Sequence, residues 1–353
     1  VDFSRRTGLL AFGSLTAAAL LSACSTGSSD KSASSPSGSA AADSGAFPVT
    51  IEHAFGSTEI KAEPKRVATI SWVNADVVLA LGVVPVAMAK DTFGQNEKGS
   101  LPWKDEALEK LGAPIGSDKA PVQYSDADGI NFDALAKATP DLIVGVYSGM
   151  TKEDYEKLSK IAPTIAYPEV AWGTSWQDSL TIVGKALGRS GEAKRLLDEG
   201  NAKLEKVKKD HPDFADKTFI FANLTPGKTD GVAAYTSIDN RPRFMESLGF
   251  KPAQVVVDAE KKAGEKKFNV QFSAENSKDL ASDILLTWVP DAKTAEAIKK
   301  DKLLSQIPAV KRNAAVFDSN NTTTIALSAI SILSMQYAID NYVPKIAEAV
   351  KNA

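Results

Sequence analysis

Four of the five tryptophans in the chain, at positions 72, 172, 176 and 288, stand at or just beyond short apolar runs that read as buried strands. Asn74, Phe93, Tyr147 and Asn223 fall in equivalent places. In open α/β sheets, ligands bind beyond the carboxyl ends of the strands. An aromatic-lined cleft with a few amides and hydroxyls suits a bulky organic ligand. Any one of these aromatics alone reads as readily as core packing, and Trp288, which lies within its strand, is nearest that plain reading. Arg241 and Arg243, in the stretch Asp239-Asn-Arg-Pro-Arg-Phe244, open a predicted helix. The helix dipole disfavours cations there, so the pair points to an anionic partner whose oxygens accept from guanidinium forks. The plainer alternative is two surface arginines neutralised by Asp239.

Enzyme chemistry finds little support. The chain has two histidines, His53 and His211, one in a predicted hairpin and one at the end of a long helix. Such placement offers neither a histidine-based triad nor a multi-histidine metal site. Gly145-Val-Tyr-Ser-Gly149 is not a nucleophile elbow. Ala222-Asn-Leu-Thr-Pro-Gly-Lys-Thr229 ends like a phosphate loop, but Asp230-Gly231 breaks the helix that must follow.

The single cysteine, Cys24, can form no internal disulfide. It follows a basic start at Arg5-Arg6 and an apolar segment from Leu9 to Leu21, which is too short to span a bilayer and suits a signal-peptide core. Leu21-Ser-Ala-Cys24 then reads as a lipobox, whose cysteine is lipidated once residues 1–23 are removed. The paired arginines leave twin-arginine and ordinary export both open. Residues 24–46, rich in Ser, Gly, Ala and Asp, have too little apolar surface to order themselves and read as a flexible tether. The chain is expected at the extracytoplasmic face of the cell membrane, anchored through lipid on Cys24. The net charge of −3 argues against nucleic acid.

The elements that must hold these residues alternate. Val49–Ile60 reads as a hairpin around Gly56-Ser57. Strands are predicted near Val67–Trp72, Pro85–Ala89, Leu142–Val146 and Thr164–Tyr167, and helices over Ala75–Leu81, Asp133–Ala138, Lys152–Ile161 and Ser175–Leu187. Residues 90–129 carry no clear element. Ser190 to about Lys209 alternates charges around an apolar stripe and reads as one long amphipathic helix. Strand–helix alternation then resumes with strands at Thr218–Ala222, Ile284–Trp288 and Ala315–Phe317, helices at Arg243–Leu248 and near Thr294–Lys300, and a long helical tail after Thr324. Such alternation implies parallel sheets. The expected fold is therefore α/β, with two Rossmann-like lobes, residues 47–188 and 213–353, joined by a rigid helix over 189–212.

Several stretches together resemble the iron-siderophore binding lipoproteins of ABC importers. They are Pro64-Lys-Arg-Val67 through Leu79-Ala-Leu-Gly-Val-Val-Pro-Val86, Asn131 to Ile143, Leu158-Ser-Lys-Ile-Ala-Pro-Thr164, Ser273-Ala-Glu-Asn276 and Pro308 to Asn313. The resemblance implies two lobes on one helical backbone, with a ferric siderophore in the shallow cleft between them and iron held by the chelator rather than by protein ligands. It implies that arginines face the chelate's oxygens and aromatics pack its organic part, roles carried to Arg241, Arg243, Trp72, Tyr147, Trp172 and Trp176. It also implies docking to an ABC permease, served by its ATPase, through one acidic residue per lobe. Glu275 matches the second of these, and Asp133 stands where the first lobe usually carries Glu. The implied protein is a monomer, has no cofactor and is not an enzyme. Haem- and cobalamin-binding importer components and a non-transport adhesive or sensor lipoprotein are the alternatives.

Overall fold

The computed structural model describes residues 43–353 except Glu265. Cys24, the signal segment and nearly all of the tether lie outside the described residues. The body begins earlier than the tether's composition implied. The Asp43 amide donates to the Gly188 carbonyl at 2.6 Å, and Asp43 Oδ2 accepts from the Gly191 amide at 3.1 Å.

Strands β1 (Val49–His53) and β2 (Gly56–Ile60) form an antiparallel hairpin. Its turn is Ala54-Phe55, because Gly56, at φ +123°, already pairs with His53. Five strands then make the first sheet: β3 (Val67–Thr69), β4 (Ala87–Ala89), β5 (Val122–Tyr124), β6 (Leu142–Gly145) and β7 (Thr164–Ala166). Their spatial order is β5-β4-β3-β6-β7, and every pair is parallel. Strands β3, β4, β6 and β7 are buried throughout, as the near-continuous apolar runs of a sheet covered on both faces require. Helices α1 (Asn74–Ala80), α2 (Pro102–Lys110), α3 (Phe132–Lys137), α4 (Lys152–Leu158) and α5 (Trp176–Ala186) connect and cover it. The strand order reverses between β3 and β6, the position at which a crevice opens beyond the strand ends.

Helix α6 runs from Ser190 to Asp210, 21 residues and about 30 Å. It buries Ala193, Leu196, Gly200, Leu204 and Val207, spaced at three and four residues, which makes one apolar stripe. Its outer face carries the pairs Lys194–Asp198 and Lys206–Asp210, each of which adds only a few tenths of a kcal/mol to an exposed helix.

The second sheet comprises β8 (Thr218–Leu224), β9 (Val232–Tyr235), β10 (Lys251–Pro252), β11 (Asn269–Phe272), β12 (Ile284–Trp288) and β13 (Ala315–Asp318). Strands β8, β10, β12 and β13 are parallel, whereas β9 returns antiparallel on β8 and β11 antiparallel on β9. The alternation of elements concealed this antiparallel flank. Helices α7 (Asn240–Ser247), α8 (Gln254–Ala263), α9 (Ala292–Lys300), α10 (Pro308–Lys311), α11 (Asn321–Ser328) and α12 (Ser334–Val350) complete the chain. The expected tail is thus two helices, and it packs on both sheets' layers. Tyr337 of α12 meets Trp103 of α2 with ring centroids 5.4 Å apart. One continuous apolar cluster runs from β3 and β6 through α5, α6 and α12 into β8 and β12. An interface this apolar restrains relative motion of the two halves.

Candidate functional site

Beyond β3 the chain turns sharply. Ser71 holds φ +59°, and Trp72 is thrown outward, 39% exposed. Tyr147, just beyond β6, and Trp172, in the loop after β7, complete a wall. Trp72 and Trp172 lie 5.3 Å apart at 30°, and Tyr147 meets Trp172 edge-on at 5.5 Å. Trp172 itself holds φ +60°, and its amide donates to the Ser148 carbonyl at 3.0 Å. Trp72 and Trp172 line a cavity of about 590 Å³ with Thr92, Tyr124, Asp126 and Gly149. Burial pushes the Tyr124 phenol and the Asp126 carboxyl up from their usual ranges.

Asn74 and Trp176 share the strand-end signature but face inward. Asn74 is fully buried. Its amide donates to the carbonyls of Ile70 at 2.7 Å and Tyr147 at 2.9 Å, while its oxygen accepts from the Tyr147 amide at 3.1 Å. It staples the two loops of the wall together from behind. Trp176, 7% exposed, packs on Gly200 of α6 within the core.

The second half contributes its own face. Asn223 is exposed on β8, and Trp288 closes β12, its Nε1 donating to Asn321 Oδ1 at 3.0 Å. Phe93, from the loop after β4, reaches across to Trp288 at 5.9 Å. Arg241 lies over the Tyr235 ring, 3.4 Å from its centroid, and donates from Nε and Nη2 to the two oxygens of Asp239 at 2.7 and 2.6 Å. Burial works against its charge, but the hydrogen bonds to Asp239 outweigh it and hold the guanidinium above its usual range. Asn223, Arg241 and Trp288 line one narrow cavity with Asp318, Thr324 and Tyr342.

The two arginine side chains diverge to different partners. Arg243 donates from Nη1 to the Gly173 carbonyl at 2.7 Å and from Nε to that of Ser237 at 3.0 Å. It lines a different cavity, of about 500 Å³, with Glu169, Asp178 and Glu260. Residues two apart on a helix point to different sides, and the sequence spacing already contained this separation. Asp133 and Glu275 are exposed, the first in the opening turn of α3 and the second in a short 3-10 helix, Ala274–Asp279.

Sequence reasoning missed a buried charge cluster beneath the wall. Lys104 of α2, 1% exposed, donates to Asp91 Oδ1 and Oδ2 at 2.7 and 2.9 Å and to the Trp72 carbonyl at 3.0 Å. Asp76 Oδ1 stands 3.5 Å away, and Asp76 Oδ2 accepts from Trp103 Nε1 at 2.7 Å and Ser331 Oγ at 2.8 Å. Burial alone would drive the proton off Lys104, yet the two carboxylates hold it above its usual range. Burial pushes Asp76 up to about 6, against the pull of Lys104. The one available signal was Asp76 itself, an acid inside an apolar helix run.

Among the described residues, no group of three or more His, Cys, Asp or Glu side chains could hold a metal ion, and no helix is long and apolar enough to cross a membrane. His53 is buried in the hairpin, its Nε2 3.0 Å from Thr58 Oγ1 and its Nδ1 accepting from the Phe55 amide at 3.3 Å. His211 stacks on Phe214 at 4.6 Å. Neither lines the aromatic cavity, so neither is available there as an axial haem ligand.

Two α/β halves on one long helix, with aromatics at the strand ends, have the architecture of a solute-binding protein. The periplasmic binding protein family matches residues 67–321, and the chain belongs to that family. Among solved structures, PiaA of Streptococcus pneumoniae TIGR4, in complex with ferrichrome, is similar to this chain at 36% identity with a TM-score of 0.78, covering 86% of this chain and 99% of its own. Among curated relatives from Bacillus subtilis strain 168, the probable siderophore-binding lipoprotein YfiY is 27% identical over 81% of this chain and 80% of its own. The iron(3+)-hydroxamate-binding protein YxeB is 26% identical over 94% of both.

Proposed function

We propose that this protein captures a ferric siderophore, of the hydroxamate class, in the cleft between its halves and delivers it to an ABC importer. The observation that carries this reading is the Trp72–Trp172–Tyr147 wall at the strand-order reversal, with Arg241 on the facing half. The indoles pack the organic part of the chelate. Arg241 Nη1, which makes no hydrogen bond among the described residues, donates to oxygens around the iron. The similarity to PiaA with bound ferrichrome and to the hydroxamate binder YxeB supports this choice of class. Iron stays with its chelator, and the apolar core shared by the halves suits a cleft that closes little. Asp133 and Glu275 are the proposed contacts to the permease, one per half, and lipid on Cys24 is the proposed anchor at the extracytoplasmic face.

The test is tryptophan fluorescence of the purified protein, titrated with ferric hydroxamates, ferric citrate, ferric catecholates, haem and cobalamin. Submicromolar quenching by ferric hydroxamates, with none by haem or cobalamin after absorbance correction, is the expected result. Tighter binding of another chelate would replace the hydroxamate assignment, and binding of none would remove the transport reading. Membrane retention of a Cys24→Ala variant would sink the proposed anchor.

A further inference from the structure

Lys104 spends its ammonium on a place where stability alone gives no reason for a charge. Buried ion pairs are often no more stabilising than apolar packing of the same volume. Here three groups converge on Nζ: the two oxygens of Asp91 and the backbone carbonyl of Trp72. That carbonyl belongs to a loop whose preceding residue, Ser71, sits at φ +59°. A side chain other than glycine persists in this region only where its surroundings over-determine it. Lys104 supplies that restraint from below, and Asn74 supplies it from the side through the Ile70 and Tyr147 carbonyls. The same cluster reaches the second half, because Asp76 takes the Ser331 hydroxyl on the oxygen that it does not turn toward Lys104.

We propose that Lys104 is a positioning residue: held by Asp91 and Asp76, its ammonium fixes the Trp72 loop so that the Trp72 indole meets Trp172. The consequence for affinity rests on the reading of this wall as the ligand face. The stack itself can be followed without any ligand.

Two indoles in close contact give an exciton couplet in circular dichroism, and the part due to this pair is whatever Trp72→Phe removes from the wild-type spectrum. Lys104→Met is expected to lose most of that couplet, while Lys104→Arg, which keeps a buried cationic donor, retains part of it. Because Lys104→Met strands two carboxylates and can compromise folding, the triple variant Lys104→Met, Asp76→Asn, Asp91→Asn is measured beside it, with no buried charge left unpaired. A folded triple variant with the full couplet overturns the proposal. Ferric hydroxamate titration of the same variants separates the two readings. Loss of the couplet with about tenfold weaker binding supports both the positioning role and the ligand face. Loss of the couplet with unchanged binding supports the positioning role and removes the wall from the ligand face.

Discussion

A methyl group placed on Gly149 would lie 2.4 Å from Trp172 Nε1 and 2.7 Å from its Cε2. The aromatic wall therefore depends on the absence of a side chain directly behind it. Gly149→Ala is expected to push the indole out of its contact with Trp72 and to weaken ferric hydroxamate binding about tenfold, roughly 1.4 kcal/mol. The loop is at the surface of the lobe, so the thermal midpoint should fall by only a few degrees. Titration and calorimetry on the same sample decide the matter, and undiminished affinity would show that Trp172 does not hold the ligand.

Tyr147 joins the two halves. Its ring meets Trp172, while its hydroxyl donates to the Ser328 carbonyl at 3.0 Å. Burial, reinforced by Asp239, pushes its phenol above the usual range, so it stays a donor at every pH the protein tolerates. Tyr147→Phe leaves that carbonyl short of a partner at an otherwise unchanged shape. The expected cost is about 1–2 kcal/mol of unfolding free energy. Urea denaturation of the variant that matched wild type would mean that water replaces the hydroxyl without loss.

The legible parts of the fold are those whose chemistry is repeated along the chain. Strands β3, β6 and β7 are buried on both faces, so each is an apolar run that can be read directly. The α6 stripe at residues 193, 196, 200, 204 and 207 is equally plain. Strand β5 gave no such signal. It is three residues at the edge of its sheet, with Val122 59% exposed. Helix α2 was hidden because its buried side includes Lys104, which reads as a solvent residue until Asp91 and Asp76 are placed around it. In the site, the rule of looking beyond strand ends found Trp72, Tyr147 and Trp172. It could not tell them from Asn74 and Trp176, since one or two residues of turn decide whether a side chain faces the cleft or the core. The separation of Arg241 from Arg243 has the same origin.

Asp76 makes the protein sensitive to pH in a definite direction. Its carboxyl is raised from 3.8 to about 6 by burial. Between about pH 4 and pH 6 the folded chain keeps a proton that the unfolded chain has released, so this group's contribution is full at low pH and is lost as pH rises through 6. The change is on the order of 3 kcal/mol. Asp76→Asn, which retains an oxygen for Trp103 and Ser331, removes this dependence. Its stability relative to wild type is expected to improve as pH is raised from 4 to 7, by an amount of that order. Parallel urea midpoints for the two proteins across that range would refute the assignment.

Gly200 sits in the middle of α6, where alanine would ordinarily stabilise a helix by about 1 kcal/mol. Here a β-carbon would meet the Trp176 ring at 2.5 and 2.9 Å and Ile332 Cδ1 at 3.0 Å. Both neighbours are buried in the core that the two halves share, and the rigid Trp176 ring makes the closest contacts. Overpacking of this kind costs about 1–3 kcal/mol, which exceeds the propensity gain, so Gly200→Ala should destabilise the protein by about 1 kcal/mol. Adding Trp176→Phe should restore part of the loss, because the smaller ring vacates the space, and the pair should therefore be non-additive in a double-mutant cycle. The same variants decide what Trp176 is for. As a core residue it should lower the unfolding midpoint when reduced to Phe and leave the siderophore dissociation constant alone. A Trp176→Phe variant of unaltered stability but weakened binding would return this tryptophan to the ligand face.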